Sequence, residues 1–187
     1  MLEKKGLNWI RTYTTRPQRE GEPDDSYRFI DEETFQDMIE HGKFSEWKDY
    51  EPSTSDWRIW RYGSPKLDKA GRKDFIILTP QGYLDIKDQL PENSYCVYIY
   101  ANDKDILKRL KKRGDDWDES QRRMKADNQD FMKAYDIADH IFYNHEETDL
   151  NELVTAVARF AETGPLKPNE SYAEKSGNNY GKTRRNN

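Results

Sequence analysis

Phe75-Ile76-Ile77-Leu78-Thr79-Pro80-Gln81-Gly82 decides the fold class of this chain. Four apolar residues run without interruption, the pattern of a parallel strand buried on both faces rather than one alternating at a surface. Gln81 to Gln89 then reads as a helix, and Tyr95 to Tyr100 as a second buried strand. Asp103 to Arg113 is predicted helical, with Ile106, Leu107 and Leu110 on the inner side. A polar, charged helix spans roughly Asp118 to Tyr135, a third strand covers His140 to Tyr143, and a closing helix runs from Asp149 to Glu162. Strand and helix in alternation predict a parallel α/β sheet with helices on both faces.

The front of the chain has a different texture. Leu2 to Lys5 followed by Gly6 looks like the last turn of a helix. A helix that short does not hold itself, so the expectation is that sequence upstream of Met1 has been lost. Asn8 to Thr14 reads as a strand and Tyr27 to Ile30 as a short one, with polar loop between. Asp31 is placed to cap a helix reaching about His41, with Phe35, Met38 and Ile39 on one face and Gly42 at its end. Phe44 to Asp49 reads as another strand. Glu51 to Arg61, with Trp57 and Trp60, reads as turn-rich, and Tyr62-Gly63-Ser64-Pro65 as the opening of a short helix.

Composition narrows the function. The 187 residues fit one domain, and although only 34% are hydrophobic, five Trp, twelve Tyr and seven Phe supply apolar surface for a core. The net charge is −5; residues 164–187 hold five Lys/Arg against two Glu, so residues 1–163 carry −8. An acidic body argues against nucleic acid as a partner, because a phosphate backbone needs a basic patch. The lone Cys96 excludes an internal disulfide, fits a reducing compartment, and reads as a buried thiol. Neither a membrane-length apolar run nor a signal-peptide core is present, so a cytoplasmic protein is expected. The Asn/Gly/Ser/Lys-rich stretch 164–187 reads as a disordered tail behind a domain at 1–163.

Chemistry concentrates in Tyr13-Thr14-Thr15-Arg16-Pro17-Gln18-Arg19-Glu20-Gly21-Glu22. An arbitrary R-x-x-R is usually two solvated arginines. Here Arg16 and Arg19 sit in a Pro/Gly-broken loop after a strand, where two guanidinium forks suit a small phosphate monoester. Together with Tyr27-Arg28-Phe29, Phe44-Ser45-Glu46-Trp47 and Tyr62-Gly63-Ser64, this run resembles the acceptor-binding half of the guanylate kinase family.

The resemblance implies a P-loop nucleoside monophosphate kinase-like parallel sheet and a small mixed-sheet GMP-binding subdomain at about 16–66. It implies ATP-dependent phosphorylation of GMP or dGMP with Mg2+. By the same resemblance Arg16, Arg19, Tyr27 and Tyr62 cage the acceptor phosphate, Thr12 contacts the base, Ser64 answers the guanine O6, and Glu46 accepts from guanine N1–H and N2–H2. Arg109-Leu110-Lys111-Lys112-Arg113-Gly114 and Arg122-Arg123-Met124 resemble the family's lid, at about 109–135, whose arginines, here Arg109, Arg113 and Arg123, stabilise the transferring phosphoryl group. Asn144 matches a position on the adenine side of the ATP site.

Two departures stand out. Ile77 and Thr79 occupy positions where the family carries carboxylates, which leaves Thr79 a neutral contact to the acceptor base. No stretch reads G-x-x-x-x-G-K-[ST], the loop that grips ATP phosphates. The expectation is therefore a guanylate kinase-like domain without its first strand and phosphate loop, with a complementing N-terminal fragment as a partner. Two other functions remain open: a non-catalytic module binding GMP or peptides, and a kinase for another (d)NMP.

Overall fold

The computed structural model describes residues 1–51, 59–67, 69–71, 73–165 and 181–183. It is a mixed α/β fold in two compact units, one of Asn8–Glu92 and one of Met1–Leu7 with Asn93–Asn187.

In the first unit the strands are β1 (Asn8–Trp9), β2 (Tyr13–Thr14), β3 (Arg28–Phe29), β4 (Phe44–Tyr50), β5 (Trp60–Pro65) and β6 (Asp74–Phe75), and the helices are α1 (Glu32–Glu40) and α2 (Pro80–Ile86). β1 pairs with β6 in parallel, and Trp9 stacks on Phe75 with ring centroids 6.0 Å apart. The other four strands form a mixed sheet in the order β3-β2-β5-β4, with β2 parallel to β3 and antiparallel to β5. Helix α1 begins where the Asp31 carboxylate accepts from the Thr34 N–H, satisfying one of the donors that every helix start leaves open. It buries Phe35 completely against Phe44, with centroids 4.6 Å apart.

The second unit holds β7 (Val97–Tyr100), β8 (His140–Tyr143) and β9 (Gly181–Thr183), with α3 (Asp103–Arg113), α4 (Trp117–Ile137) and α5 (Leu150–Thr163). β7 and β8 are parallel, with Val97 opposite His140 and Tyr100 opposite Tyr143. Phe142, Leu153 and Phe160 form its core, with Val97, Ala156 and Val157 packed against them. Asn102 caps the start of α3, and Gly114 ends it at φ +85°, a left-handed conformation that favours glycine. Among the described residues no helix is long and apolar enough to cross a membrane.

Several expectations change. Asn8 to Thr14 is not one strand but two: Ile10 N–H still donates to Phe75 O, whereas Thr12 O already accepts from Arg28 N–H. The segment crosses from one sheet to another, and the change of partner breaks it. The run at 75–78 pairs only through Asp74–Phe75, and Ile77 is 64% exposed. An apolar run sets an appetite for burial, but a ladder needs a neighbour, and among the described residues β6 has β1 alone. Tyr95 to Tyr100 narrows to Val97–Tyr100, with Tyr95 and Ile99 both more than 40% exposed. Tyr62-Gly63-Ser64-Pro65 opens no helix; it lies in β5, where cross-strand bonds to β4 and β2 override the turn signal of Gly and Pro. The segment at 52–58, including Trp57, lies outside the described residues, as does most of the polar stretch at 164–187. Residues 181–183 of that stretch pair antiparallel with β8, since backbone groups alone satisfy a free edge.

The packing of α1 on the sheet turns on Gly63. A Cβ there would meet two ring carbons of Phe44 at 2.8 Å and Phe35 Cζ at 3.1 Å. Gly63→Ala is expected to lower stability by about 1–3 kcal/mol, the usual cost of overpacking, read as a reduced urea midpoint at unchanged slope.

Candidate functional site

The antiparallel register of β4 and β5 sets Glu46 opposite Ser64, Lys48 opposite Tyr62 and Tyr50 opposite Trp60. Side chains two apart on a strand share a face, so these six line the face turned away from α1. A register shift between Phe44 and Glu46 lets the strand change its pairing just before the carboxylate, as bulges beside functional sites do. β2 extends the face, with Thr14 opposite Tyr62.

Glu46 is half-buried and accepts a 2.5 Å hydrogen bond from Ser64 Oγ, whose residue is fully buried. Burial pushes the Glu46 carboxyl above its ordinary range; Ser64 and the Lys48 charge oppose this but do not cancel it. The sheet thus presents a carboxylate with one oxygen held and its charge incompletely solvated.

Arg16 follows directly after β2, and its N–H donates to Thr14 Oγ1 at 3.1 Å. Its guanidinium is only 3% exposed. Nη1 donates to Pro17 O at 2.7 Å and Nη2 to both oxygens of Glu22 at 2.8 and 3.0 Å. The group lies over the rings of Tyr27 and Phe29 at 5.5 and 5.6 Å, and Tyr27 meets Tyr62 edge-on at 6.1 Å. Burial works to raise Glu22, yet the Arg16 guanidinium and the Arg19 N–H hold it down at about 2. Burial likewise works to lower Arg16, and Glu22 and Tyr62 outweigh it. Arg19 gives its backbone N–H to Glu22 Oε2 at 3.0 Å while the residue itself stays exposed. Beside this loop a cleft of about 540 Å³ opens, bounded by Thr15, Gln18, Phe29, Asp31 and Thr34 among others.

The structure therefore gathers Arg16, Tyr27 and Tyr62 into one cluster and pairs Glu46 with Ser64 on the same sheet. Thr12 is half-buried and contributes its carbonyl to β3. Thr79 is exposed, and its Oγ1 accepts from Gly82 N–H at 3.0 Å, capping α2 ahead of Pro80. That lone pair is spent on the helix.

In the other unit Arg109 Nη2 donates to Asn144 O at 2.9 Å, and to Asn144 Oδ1 and His145 O at 3.2 Å. Arg109 and Asn144 are thus direct neighbours. Arg113 pairs with Asp115, and Arg123 with Glu119 at 2.8 Å. The loop after β8 is fixed by the buried Asp105, which accepts from Asn102 Nδ2 at 2.9 Å and Glu146 N–H at 3.0 Å. The half-buried Cys96 thiol is pushed up to about 11 by burial and the nearby Asp139, which keeps it protonated and unreactive.

Sequence reasoning missed Glu22 and Asp105. Glu22 stands three residues beyond Arg19 and was visible as an acid near two bases; its partner was not. Asp105 lies three after the cap Asn102, the spacing of a reciprocal capping pair.

The guanylate kinase family model matches residues 3–163 of this chain. A guanylate kinase of Prochlorococcus marinus is 30% identical over 167 residues, 85% of each protein. One from Syntrophomonas wolfei is 29% identical over 161 residues, 83% of this chain and 79% of the relative. Among solved structures, the guanylate kinase of Anaplasma phagocytophilum superposes with a TM-score of 0.59 over 89% of this chain and 82% of that one, at 16% identity, a likeness of fold. A family model spanning nearly the whole described body, and relatives that agree along most of their own length, make this chain a member of the guanylate kinase family.

Proposed function

We propose that the chain binds GMP or dGMP on the β2–β5–β4 face as acceptor for a phosphoryl group from ATP, in the cytoplasm. One observation carries this reading: a half-buried carboxylate, Glu46, hydrogen-bonded by buried Ser64 on the strand pair that also carries Tyr62. Guanine offers two adjacent donors, N1–H and N2–H2, to a carboxylate; adenine offers no such pair. A site built around those donors rejects the wrong base strongly, because its own buried groups are then left unpaired. Ser64, and Thr12 at the adjoining strand end, complete the base contacts in this proposal.

The acceptor phosphate is assigned to Arg19, Arg16 and the Tyr27 and Tyr62 hydroxyls. Arg16 has a double duty, because its charge already neutralises Glu22 inside the fold. Arg109, Arg113 and Arg123 are assigned to the transferring phosphoryl group, each exchanging an internal oxygen for a phosphate oxygen, with Asn144 beside Arg109 for adenine. Among the described residues no group of three or more His, Cys, Asp or Glu is placed to hold a metal ion. A Mg2+ would then be carried on the donor's phosphates, its usual mode in kinases. The 187 residues contain no G-x-x-x-x-G-K-[ST] sequence to grip those phosphates, so acceptor binding is the decisive readout. Calorimetric titration should show GMP bound at least tenfold more tightly than AMP; equal affinities would refute the assignment.

The two arginines should separate. Arg19→Ala is expected to weaken GMP by about 1.5–3 kcal/mol, the scale of a charged hydrogen bond, with guanosine binding unchanged. Arg16→Ala should instead lower stability, by about 1–3 kcal/mol, since it leaves the half-buried Glu22 carboxylate without its partner, and a melting curve without ligand shows this.

Glu46→Gln places an amide N–H against a guanine donor and should reduce the preference for GMP over AMP by at least tenfold in the same titrations. Its effect on stability has the opposite sign. A carboxyl raised in the fold is more readily protonated there than in the unfolded chain, so ionising it costs stability as pH rises through the raised value. At pH 7 the Gln variant is therefore expected to melt above the parent, with the advantage gone below the ordinary carboxylate range.

A further inference from the structure

Lys48 lies on the acceptor face, two residues from Glu46 and directly opposite Tyr62. Its Nζ is 2.9 Å from Asp85 Oδ2 on α2, and the other Asp85 oxygen accepts from Gln81 Nε2 at 2.8 Å. The ammonium is thereby held from one side, and of its three donors one is used by Asp85. The Lys48 side chain remains 44% exposed, so Asp85 does not enclose it.

The two ends of this short stretch have opposite polarity. Glu46 offers acceptors, and Lys48 offers donors about 7 Å along the strand, the repeat of two residues. Guanine carries the complementary arrangement across its width: a donor pair at N1 and N2, and an acceptor pair at O6 and N7, the pair that cationic side chains read on guanine. Adenine has N6–H2 where guanine has O6, and so opposes a cation there. On the α2 side the charge is Asp85, which holds Lys48 in place; Ile77 is apolar and the Thr79 hydroxyl caps the helix.

We propose that Lys48, positioned by Asp85, is a second specificity-determining residue of the acceptor site and donates to the O6/N7 edge of guanine while Glu46 takes the N1/N2 edge. This rests on the GMP-acceptor reading above and goes beyond it by giving the base two independent readers of opposite charge.

The test is calorimetric titration of the 187-residue chain and its Lys48→Met and Lys48→Arg variants with GMP, guanosine, IMP and 7-deaza-GMP. Lys48→Met should weaken GMP and guanosine by the same factor, about tenfold on the scale of a good base contact, and Lys48→Arg should restore most of the loss. The parent should discriminate against 7-deaza-GMP, which lacks the N7 acceptor, and Lys48→Met should not. IMP, which lacks only the 2-amino group, should carry the same penalty in both, because that edge belongs to Glu46. Lys48→Met binding GMP within twofold of the parent would overturn the proposal. So would a deficit seen with GMP and absent with guanosine, which assigns Lys48 to the phosphate. Recovery in Lys48→Arg excludes a folding defect as the cause. A parent that binds GMP and AMP alike would refute the acceptor reading itself, separately from the role of Lys48.

Discussion

The antiparallel register between β4 and β5 is the constraint on which the rest of the first unit depends. Gly63 has no side chain, which leaves room for Phe35 and Phe44 to close on one face of the sheet. Its neighbours Tyr62 and Ser64 necessarily point to the other face, where Glu46 and Lys48 stand opposite them. Because side chains alternate, a slip of one residue would send the reading face into the packing against α1 and the aromatic core into solvent. Core formation and site formation are therefore one event.

Charge management on that face follows a consistent rule. Arg16 is neutralised by Glu22, Lys48 by Asp85, and each pair joins segments that the sheet alone would not fix. The Arg16–Glu22 pair folds the loop at 16–22 back on itself against Tyr27 and Phe29. Glu46 differs. Its direct bond is to the neutral Ser64, and its burial is only partly offset by the Lys48 charge. An incompletely compensated carboxylate costs the empty protein stability, and such perturbed groups gather where binding is done.

The second unit shows the same economy of partners. Arg109 is bound to the loop after β8, and Asp105 ties that loop back to the start of α3. The helix that carries the lid-like arginines and the loop that carries Asn144 are thus positioned by one another.

Sequence by itself determined what depends on nearby residues. Helix α3 runs over Asp103–Arg113 as its periodicity indicates, and α1 begins at its Asp31 cap, because capping and helical periodicity are short-range. The order of motifs from Arg16 to Arg123 was likewise legible and sufficed for the family. What only the tertiary structure decided were matters of partnership. Strand β6 is short and Ile77 exposed because a ladder requires a neighbour that the apolar run cannot name. Arg16 forms an internal ion pair because Glu22 folds back upon it across a loop. Lys48 shares a face with Glu46 because strand register assigns each side chain its direction. Residue identity fixes what a group can bond; chain geometry fixes which group it meets.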